Sequence, residues 1–231
     1  MLRRLFGLTL LVAVLGSGVQ AQTMRGDTLY RVTLLRGAPG RLLDLVAALK
    51  ASGLGGAASK SWLLRHSQGD HWDVMVLQPV SGYAEALKND RPASLAPLEF
   101  IAWQEEEFMR GPDLDALPGF REAKVYHAEM FHALGEKRAE LLKEREMENV
   151  NAVALGRPAS AIFVREMGAS WDCFTLDAYR NWKHYAERDD TTKEKSASAA
   201  KAAGFSSDEQ IGPYLRSLIL DHHDSLMSAV R

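Results

Sequence analysis

The sequence predicts an α+β fold built from two similar units. The run Tyr30–Arg36 (YRVTLLR) is answered by Tyr126–His132 (YHAEMFH) at an offset of 96 residues. The run Trp72–Leu77 (WDVMVL) is answered by Trp171–Leu176 (WDCFTL) at an offset of 99 residues. Each half combines alternating strand patterns with helical spacing of apolar residues. Because each half is too short to bury a good core alone, we expect the two units to pack together.

Residues 27–115 form the first unit, for which the pattern predicts strand, helix, strand, strand and helix. Alternating apolar residues predict the strands, and Leu42, Leu45 and Leu49 at helical spacing predict the first helix. Pro79 closes the hairpin, and Ser81 is a suitable N-cap for the second helix. The predicted elements are Tyr30–Arg36, Arg41–Lys50, Ser61–His66, His71–Gln78 and Ser81–Lys88.

Residues 120–230 form the second unit, which repeats this order with a longer first helix. A stretch rich in Lys, Ala and Ser at 189–207 predicts an exposed helix or an excursion from the unit. Each unit ends in an ambiguous element, Phe100–Met109 or Tyr214–Val230, for which helix is favoured over strand. The other predicted elements are Tyr126–His132, Glu136–Asn149, Ala161–Glu166, Trp171–Asp177 and Arg180–Glu187.

Residues 1–21 predict a cleavable signal peptide. Arg3 and Arg4 form a basic start, an apolar stretch follows, and Val19–Ala21 is a small-residue cleavage site. The apolar stretch is shorter than the about 20 residues that a membrane helix needs. We therefore expect a periplasmic or secreted protein, cleaved after Ala21 and free of the membrane. An uncleaved N-terminal anchor is the alternative.

Charge and cysteine content exclude several classes of function. Loss of residues 1–21 removes two basic and no acidic residues, which moves the formal net charge from −2 to −4. A mildly acidic chain lacks the basic surface that binds nucleic acid or anionic lipid. Cys173 is the single cysteine, so no internal disulfide can form. Its apolar strand pattern predicts a buried, inert thiol.

The duplicated order of elements, with its paired runs at Tyr30 and Tyr126 and at Trp72 and Trp171, resembles the dimeric α+β barrel superfamily. The units of that superfamily are ferredoxin-like, and in single-unit members two chains pair their sheets into a barrel. The resemblance implies two tandem ferredoxin-like repeats that form a pseudo-symmetric α+β barrel within one chain. The superfamily includes antibiotic-biosynthesis-type and heme-degrading monooxygenases, chlorite dismutases, dye-decolourising peroxidases and NIPSNAP-type proteins, so the fold does not select a function.

The inward face of the expected barrel is where the two repeats differ most. One apolar face of each first strand is assigned to the helices, which leaves Arg31 and Thr33 facing the barrel. His127 and Glu129 hold the equivalent positions in the second repeat. Such a pair is able to bind a cation or to transfer a proton. A structural salt bridge across the barrel, for example between Arg31 and Glu129, is the favoured interpretation.

Trp72 and Trp171 are assigned to the same inward face. They either wall a pocket for a flat apolar ligand or anchor the core, because an indole buries a large area. Asp73 and Asp172, which follow them, are expected to be turn or cap residues.

The histidines of the sequence are candidate ligands for a metal ion or for heme. Neighbouring side chains in the run His222–Asp224 point in different directions, so no metal site is expected there without a distant partner such as His127 or Glu129. Heme enters only by analogy with the superfamily, with His127 or His184 as the axial ligand, and no other cofactor is expected. The charged runs at 105–107 and 144–146 are interpreted as solvated faces.

The leading hypothesis is a protein that binds a small apolar molecule in the cavity between the repeats. The alternative is a monooxygenase-like or heme-handling enzyme in which His127 or His184 is the ligand or base and Glu129 orients it. A third possibility is a structural protein with a filled barrel. The ligand, the reaction and the oligomeric state stay open. The expected ligand-binding residues are Arg31, Thr33, Trp72, His127, Glu129 and Trp171.

Overall fold

The chain folds into strands and helices in the order expected of an α+β protein. The computed structural model describes residues 24–56, 58–68, 70–88, 94–168, 171–187 and 191–231, and the signal peptide expected at 1–21 lies outside these residues. The strands are β1 (Thr28–Gly37), β2 (Trp62–Gln68), β3 (Val74–Val80), β4 (Ile101–Gly111), β5 (Val125–Ala133), β6 (Ala161–Gly168), β7 (Cys173–Tyr179) and β8 (Ile219–Ala229). The α-helices are α1 (Leu42–Ala51), α2 (Tyr83–Ala86), α3 (Arg138–Ala154), α4 (Trp182–Ala186), α5 (Lys193–Ala202) and α6 (Ile211–Arg216). None of the described helices is both long and apolar enough to cross a membrane.

The strands predicted from alternating residues are confirmed, whereas the preference for helix in the two ambiguous segments was wrong. Phe100–Met109 falls mainly in β4, and Tyr214–Val230 falls mainly in β8. β4 pairs with β1 along most of its length, and β8 pairs with β5 in the same way. Backbone pairing with a neighbouring strand therefore outweighs the helical spacing of the apolar residues in these segments.

The eight strands close into one antiparallel barrel in the order β1-β3-β2-β8-β5-β7-β6-β4. The strands of the first half stand in the order β4-β1-β3-β2, and those of the second half in the order β8-β5-β7-β6. The halves meet where β2 pairs with β8 and where β4 pairs with β6. Closure leaves no free sheet edge, which protects the strands from pairing with other chains.

Apolar side chains from all eight strands fill the interior of the barrel. The Tyr30 ring meets the Phe163 ring edge-on at 5.3 Å, and the Phe163 ring stacks on Phe174 at 4.4 Å. Each large side chain buried in this way contributes about 1.5–3 kcal/mol to folding. The space between the halves, which the sequence analysis assigned to a ligand, is occupied by these side chains.

The carboxyl group of Glu107 also lies in the interior of the barrel. It pairs across the sheet with Val32, whose side chain belongs to the interior cluster. Glu107 is 1% exposed, and neither of its carboxylate oxygens has a hydrogen-bond partner in the described structure. Burial, with a smaller contribution from Glu105, raises its pKa to about 8. The interpretation of 105–107 as a solvated face is therefore wrong for Glu107.

The longer helices cover the outer face of the barrel. On the first half, Leu45 and Leu49 of α1 pack against Leu63 and Val76. On the second half, α3 packs against a cluster that includes Cys173. Cys173 is fully buried, as expected, and burial raises the pKa of its thiol to about 12.

Candidate functional site

The two faces of β1 and β5 are the reverse of those expected from the sequence. Val32 lies in the barrel interior, so alternation places Arg31 and Thr33 on the outer face. His127 and Glu129 lie on the outer face of the second half, where Glu129 meets α3. The prediction failed because both faces of each strand are buried, and the interior is the more apolar of the two. The face under the helices borders solvent and retains the polar side chains.

The described contacts of Arg31 are with residues of the first half. Arg31 donates a hydrogen bond to the carbonyl of Ala86 at the end of α2 (2.6 Å) and lies 3.5 Å from a Glu106 carboxylate oxygen. The Thr33 hydroxyl is buried without a hydrogen-bond partner among the described residues. The salt bridge expected between Arg31 and Glu129 is therefore absent from the described structure, because the two residues lie on outer faces separated by the barrel interior.

Trp72 and Trp171 do face the interior, where they pack as core anchors. The Trp171 ring stacks on His132 with 4.2 Å between centroids. Asp73 accepts a hydrogen bond from the backbone N–H of Gly37 (2.8 Å), and Asp172 accepts one from that of Ala133 (2.9 Å). Each aspartate thus anchors the end of a neighbouring strand, as expected for a turn or cap residue.

His127 is the centre of a polar network on the outer face of the second half. Its Nδ1 lies 3.5 Å from Oδ2 of Asp177 on β7, and its Nε2 lies 3.2 Å from Oδ1 of Asp224 on β8. This arrangement follows from strand order, because β5 runs between β7 and β8. Burial disfavours the charged imidazole, but the hydrogen bonds with Asp177 and Asp224 outweigh that cost and raise the pKa of His127 to about 9.

Glu129 faces Arg145, which projects from α3 and is 2% exposed. The Glu129 Oε2 atom lies 3.5 Å from Nη1 of Arg145 and 3.5 Å from the hydroxyl of Thr175. Arg145 also contacts Glu144 (2.6 Å) and Glu148 (2.9 Å). Burial raises the pKa of Glu129 and of Glu144, although Arg145 lowers both. The interpretation of 144–146 as a solvated face is therefore wrong for Glu144 and Arg145.

A cavity of about 720 Å³ opens at the end of the barrel, beside the C-terminal half of α3. This volume is typical of small-molecule sites, which span about 300–1,000 Å³. Its apolar lining is Met24, Leu117, Pro118, Phe120, Val150, Val153, Pro158, Ala159, Ile162 and Ala178. Its polar lining is Arg25, Glu146, Asn149, Arg180 and His184.

His184 connects the cavity with the polar network through the helix α4. It lines the cavity, while the next residue, Tyr185, has its ring centroid 6.0 Å from that of His127. The backbone N–H of Arg180 donates to Nδ1 of His184 (3.2 Å). The proton of the neutral ring therefore sits on Nε2, which makes His184 a hydrogen-bond donor.

The histidines expected as heme ligands do not fit that role. A histidine that binds a metal usually donates its other ring N–H to a neighbour. In His184 the Nδ1 atom accepts a hydrogen bond instead. In His127 the Nε2 atom lies only 3.2 Å from an Asp224 carboxylate oxygen, which leaves no room for a flat macrocycle in front of the ring. We therefore derive no step through heme.

Sequence reasoning missed Asp177, Asp224 and Arg145, as well as the cavity. Asp177 shares a strand face with Thr175, so the alternation of β7 contains a signal for it. Asp224 becomes a partner of His127 only once β8 is recognised as a strand. The cavity gathers residues from segments far apart in the chain, for which no local pattern exists.

Comparison with known proteins identifies the fold but no family. No family model and no curated protein matches the chain. Among solved structures, the chain is similar to an anthrone oxidase-like protein, with a TM-score of 0.59 and 13% identity over 90% of this chain and 93% of that one. It is also similar to a proposed monooxygenase from Lactobacillus acidophilus, with a TM-score of 0.51 and 8% identity over 88% and 94% of the two chains. A third similar structure is a proposed monooxygenase from Fusobacterium nucleatum, with a TM-score of 0.53 and 10% identity over 89% of this chain and 94% of that one. The barrel thus has the same fold as these three proteins, and identities this low establish the fold alone.

Proposed function

We propose that the protein binds a small, apolar, ring-containing molecule with an anionic or carbonyl oxygen in the cavity at the end of the barrel. The observation that supports this proposal most directly is the lining of the cavity, which is mainly apolar and includes a few polar groups. A site of this kind gains affinity from burial of apolar surface and orients its ligand with a few hydrogen bonds. The ligand class is the one expected from the sequence, but the site lies outside the interior of the barrel.

The polar groups indicate how the ligand would be oriented. Arg25 is held by Glu146 at 2.9 Å, so its charge is largely offset. Arg180 and the Nε2–H of His184 are the donors that an oxygen of the ligand would meet. Val150 and Val153 on α3 are 39% and 41% exposed, and a ligand would cover this apolar surface.

A bulky residue in the cavity tests the proposal. Titration calorimetry with the anionic aromatic probe 1-anilinonaphthalene-8-sulfonate should detect saturable binding to the unmodified chain. Val150→Trp should weaken that binding at least about tenfold, since an indole occupies a large part of such a pocket. Leu43→Trp, at an exposed position of α1, is the matched control and should bind like the unmodified chain. Equal binding by both variants would place the probe elsewhere and refute the proposal.

A monooxygenase-like enzyme is the second candidate, favoured by the three structural neighbours that match about nine-tenths of the chain. In this case an anthrone-type substrate would occupy the same cavity. Its ring CH₂ and one O₂ would yield a ring C=O and one H₂O, so that carbon is oxidised and dioxygen is reduced. The CH₂ group would lose one proton to solvent water, and the Nε2–H of His184 would stabilise the resulting enolate oxygen; that proton is taken up again when dioxygen is reduced to H₂O. Oxygen uptake with anthrone should fall in His184→Ala and persist in His71→Ala. No uptake above the protein-free rate would exclude this candidate.

We also infer that residues 27–115 and 120–230 are tandem ferredoxin-like repeats. The equal strand order of the halves supports this inference. So do two equivalent hydrogen bonds, since the N–H of Asp73 donates to Leu35 and that of Asp172 donates to Phe131, both at 2.8 Å. Co-expressed halves separated after Gly119 should purify as a one-to-one complex. Halves that fold and do not associate would argue against the inference.

Export is likewise proposed, on the strength of the N-terminal signal pattern. The mature protein should begin at Gln22. N-terminal sequencing of protein recovered from the periplasm or medium tests this, and an intact Met1 would contradict it.

A further inference from the structure

Three side chains on the outer face of the second half bring nitrogen and oxygen donors to one point. One ligand atom each from His127, Glu129 and Asp224 lies within 4.8 Å of the others. Within the described ranges, no other group of His, Cys, Asp and Glu has this geometry. Bonds of about 2.0–2.2 Å to a tetrahedral metal place donor atoms roughly 3.3–3.6 Å apart. The distances between the donor atoms therefore need to shorten by at most about 1.5 Å for all three to bind one ion.

Strand pairing explains why these donors are held together. Glu129 on β5 lies directly opposite Asp224 on β8. When both carboxylates are ionised they repel each other across the sheet, and a bound cation would turn that repulsion into attraction. His127, two residues before Glu129, lies on the same face of β5 and supplies the nitrogen donor.

Asp177 provides the outer contact that a metal-binding histidine needs. It faces Nδ1 of His127 at 3.5 Å, while Nε2 of the same ring points towards Asp224. A carboxylate on the far side of the ring fixes the tautomer and orients the free nitrogen towards the metal. The second Asp177 oxygen, Oδ1, is buried and has no hydrogen-bond partner in the described structure.

The charges around the site also favour a cation. Five carboxylates surround Arg145 and His127, and Arg145 already contacts Glu144 and Glu148. Asp224 is half exposed, so an ion can enter from solvent and keep water in an open position. The five carboxylates are those of Glu129, Glu144, Glu148, Asp177 and Asp224.

We propose that His127, Glu129 and Asp224 bind a divalent transition-metal ion of the Zn²⁺ type, with Asp177 as the residue that positions His127. One imidazole and two carboxylates suit Zn²⁺ or Mn²⁺ better than Mg²⁺ or Ca²⁺, which prefer oxygen ligands alone. No metal is expected here from the sequence, because His222–Asp224 lacks a suitable spacing of ligands. The fold supplies the distant partners, and it uses Asp224 rather than either neighbouring histidine.

Calorimetric titration of the chelator-treated chain with ZnCl₂ tests the site independently of ligand binding in the end cavity. We expect one saturable site per chain. Glu129→Gln and Asp224→Asn should each weaken binding at least about tenfold, and Asp177→Asn should weaken it about 10–100-fold through His127. Asp221→Asn is the matched control, because Asp221 lies on the same strand and also contacts a histidine, His132. That variant should bind Zn²⁺ like the unmodified chain.

The outcomes separate the proposed site from surface binding. Absence of stoichiometric Zn²⁺ binding by the folded, unmodified chain would overturn the proposal. So would binding that survives in both Glu129→Gln and Asp224→Asn, or that is lost in Asp221→Asn. Circular dichroism establishes that each variant is folded. Asp224→Asn is the decisive variant, because its half-exposed side chain can change without disturbing the core.

Discussion

Replacing Glu107 with glutamine should remove a pH-dependent loss of stability from this protein. The carboxyl group lies inside the barrel among apolar side chains and has no hydrogen-bond partner in the described structure. An ionised carboxylate is costly in such surroundings, so the folded protein keeps the proton. Glutamine has nearly the same shape and cannot ionise, which makes the substitution a direct probe of that proton.

The magnitude follows from the pKa of Glu107, which burial raises from 4.5 to about 8. Because the folded state binds the proton more tightly than the unfolded state, stability is fully present below about pH 4.5 and is lost as the pH rises to about 8. At about 1.4 kcal/mol per pH unit, the loss is roughly 5 kcal/mol over the whole window and roughly 3 kcal/mol at pH 7. Domains of this kind have only about 5–15 kcal/mol in total, so the effect is large.

Urea unfolding followed by circular dichroism at pH 5, 6, 7 and 8.5 measures this quantity. Glu107→Gln should match the unmodified chain at pH 5 to within about 1 kcal/mol and exceed its stability by several kcal/mol at pH 8.5. The matched control is Glu106→Gln, a neighbouring residue that faces outward and pairs with Arg31. It retains Glu107 and should lose stability with pH as the unmodified chain does. A constant difference between Glu107→Gln and the unmodified chain at all four pH values would refute the reasoning.

Two further predictions concern buried charges. Arg145→Met should lower the free energy of unfolding by about 3–5 kcal/mol, because it leaves Glu144 buried without its partner. Thermal or urea unfolding measures this loss. A change in the free energy of unfolding below about 1 kcal/mol would contradict the prediction. Asp70→Asn should cost about 1–3 kcal/mol at pH 7, because the Asp70 side chain is 2% exposed and accepts hydrogen bonds from His71 (2.6 Å) and His223 (3.0 Å). Burial raises the pKa of Asp70, but these hydrogen bonds outweigh it and lower the pKa. The loss of stability in Asp70→Asn should therefore become smaller below about pH 4, where Asp70 of the unmodified chain begins to take up a proton. A loss of stability that is the same at pH 3 as at pH 7 would show that these hydrogen bonds are not its cause.

The order of strands and helices could be predicted because the spacing of apolar residues differs between strands and helices and can be read from short segments of the sequence. Alternation at Tyr30–Arg36 and Tyr126–His132 identified β1 and β5, and helical spacing identified α1 and α3. Similarity to solved barrels then agrees with the barrel that the order of elements implied. β4 and β8 were harder, because their status as strands depends on pairing with β1 and β5, which lie far away in the chain.

The orientation of each strand could not be predicted from polarity. A sheet with a packed interior on one side and helices on the other buries both faces, so the more apolar face indicates only which of the two is further from solvent. Tyr30 illustrates this point. It lies on the face of β1 that the sequence pattern assigns to the helices, yet its ring lies in the barrel interior and its hydroxyl donates a hydrogen bond to the carbonyl of Pro112 (2.8 Å). For the same reason Glu107 was read as solvated when it is buried.

The two halves of the barrel differ in the charge that they bury beneath their helices. Arg31 on β1 and His127 on β5 hold corresponding positions beside the helices, yet Arg31 has the Glu106 carboxylate 3.5 Å away and donates a hydrogen bond to a carbonyl of the short helix α2. His127 instead lies among carboxylates beneath the much longer α3, and the end cavity borders the same helix. A buried excess of negative charge is expensive unless a proton, a metal ion or a ligand relieves it. The first half has the corresponding order of strands without that excess, so the strand order does not require it. This difference between the halves supports the proposal that the polar network of the second half binds a metal ion.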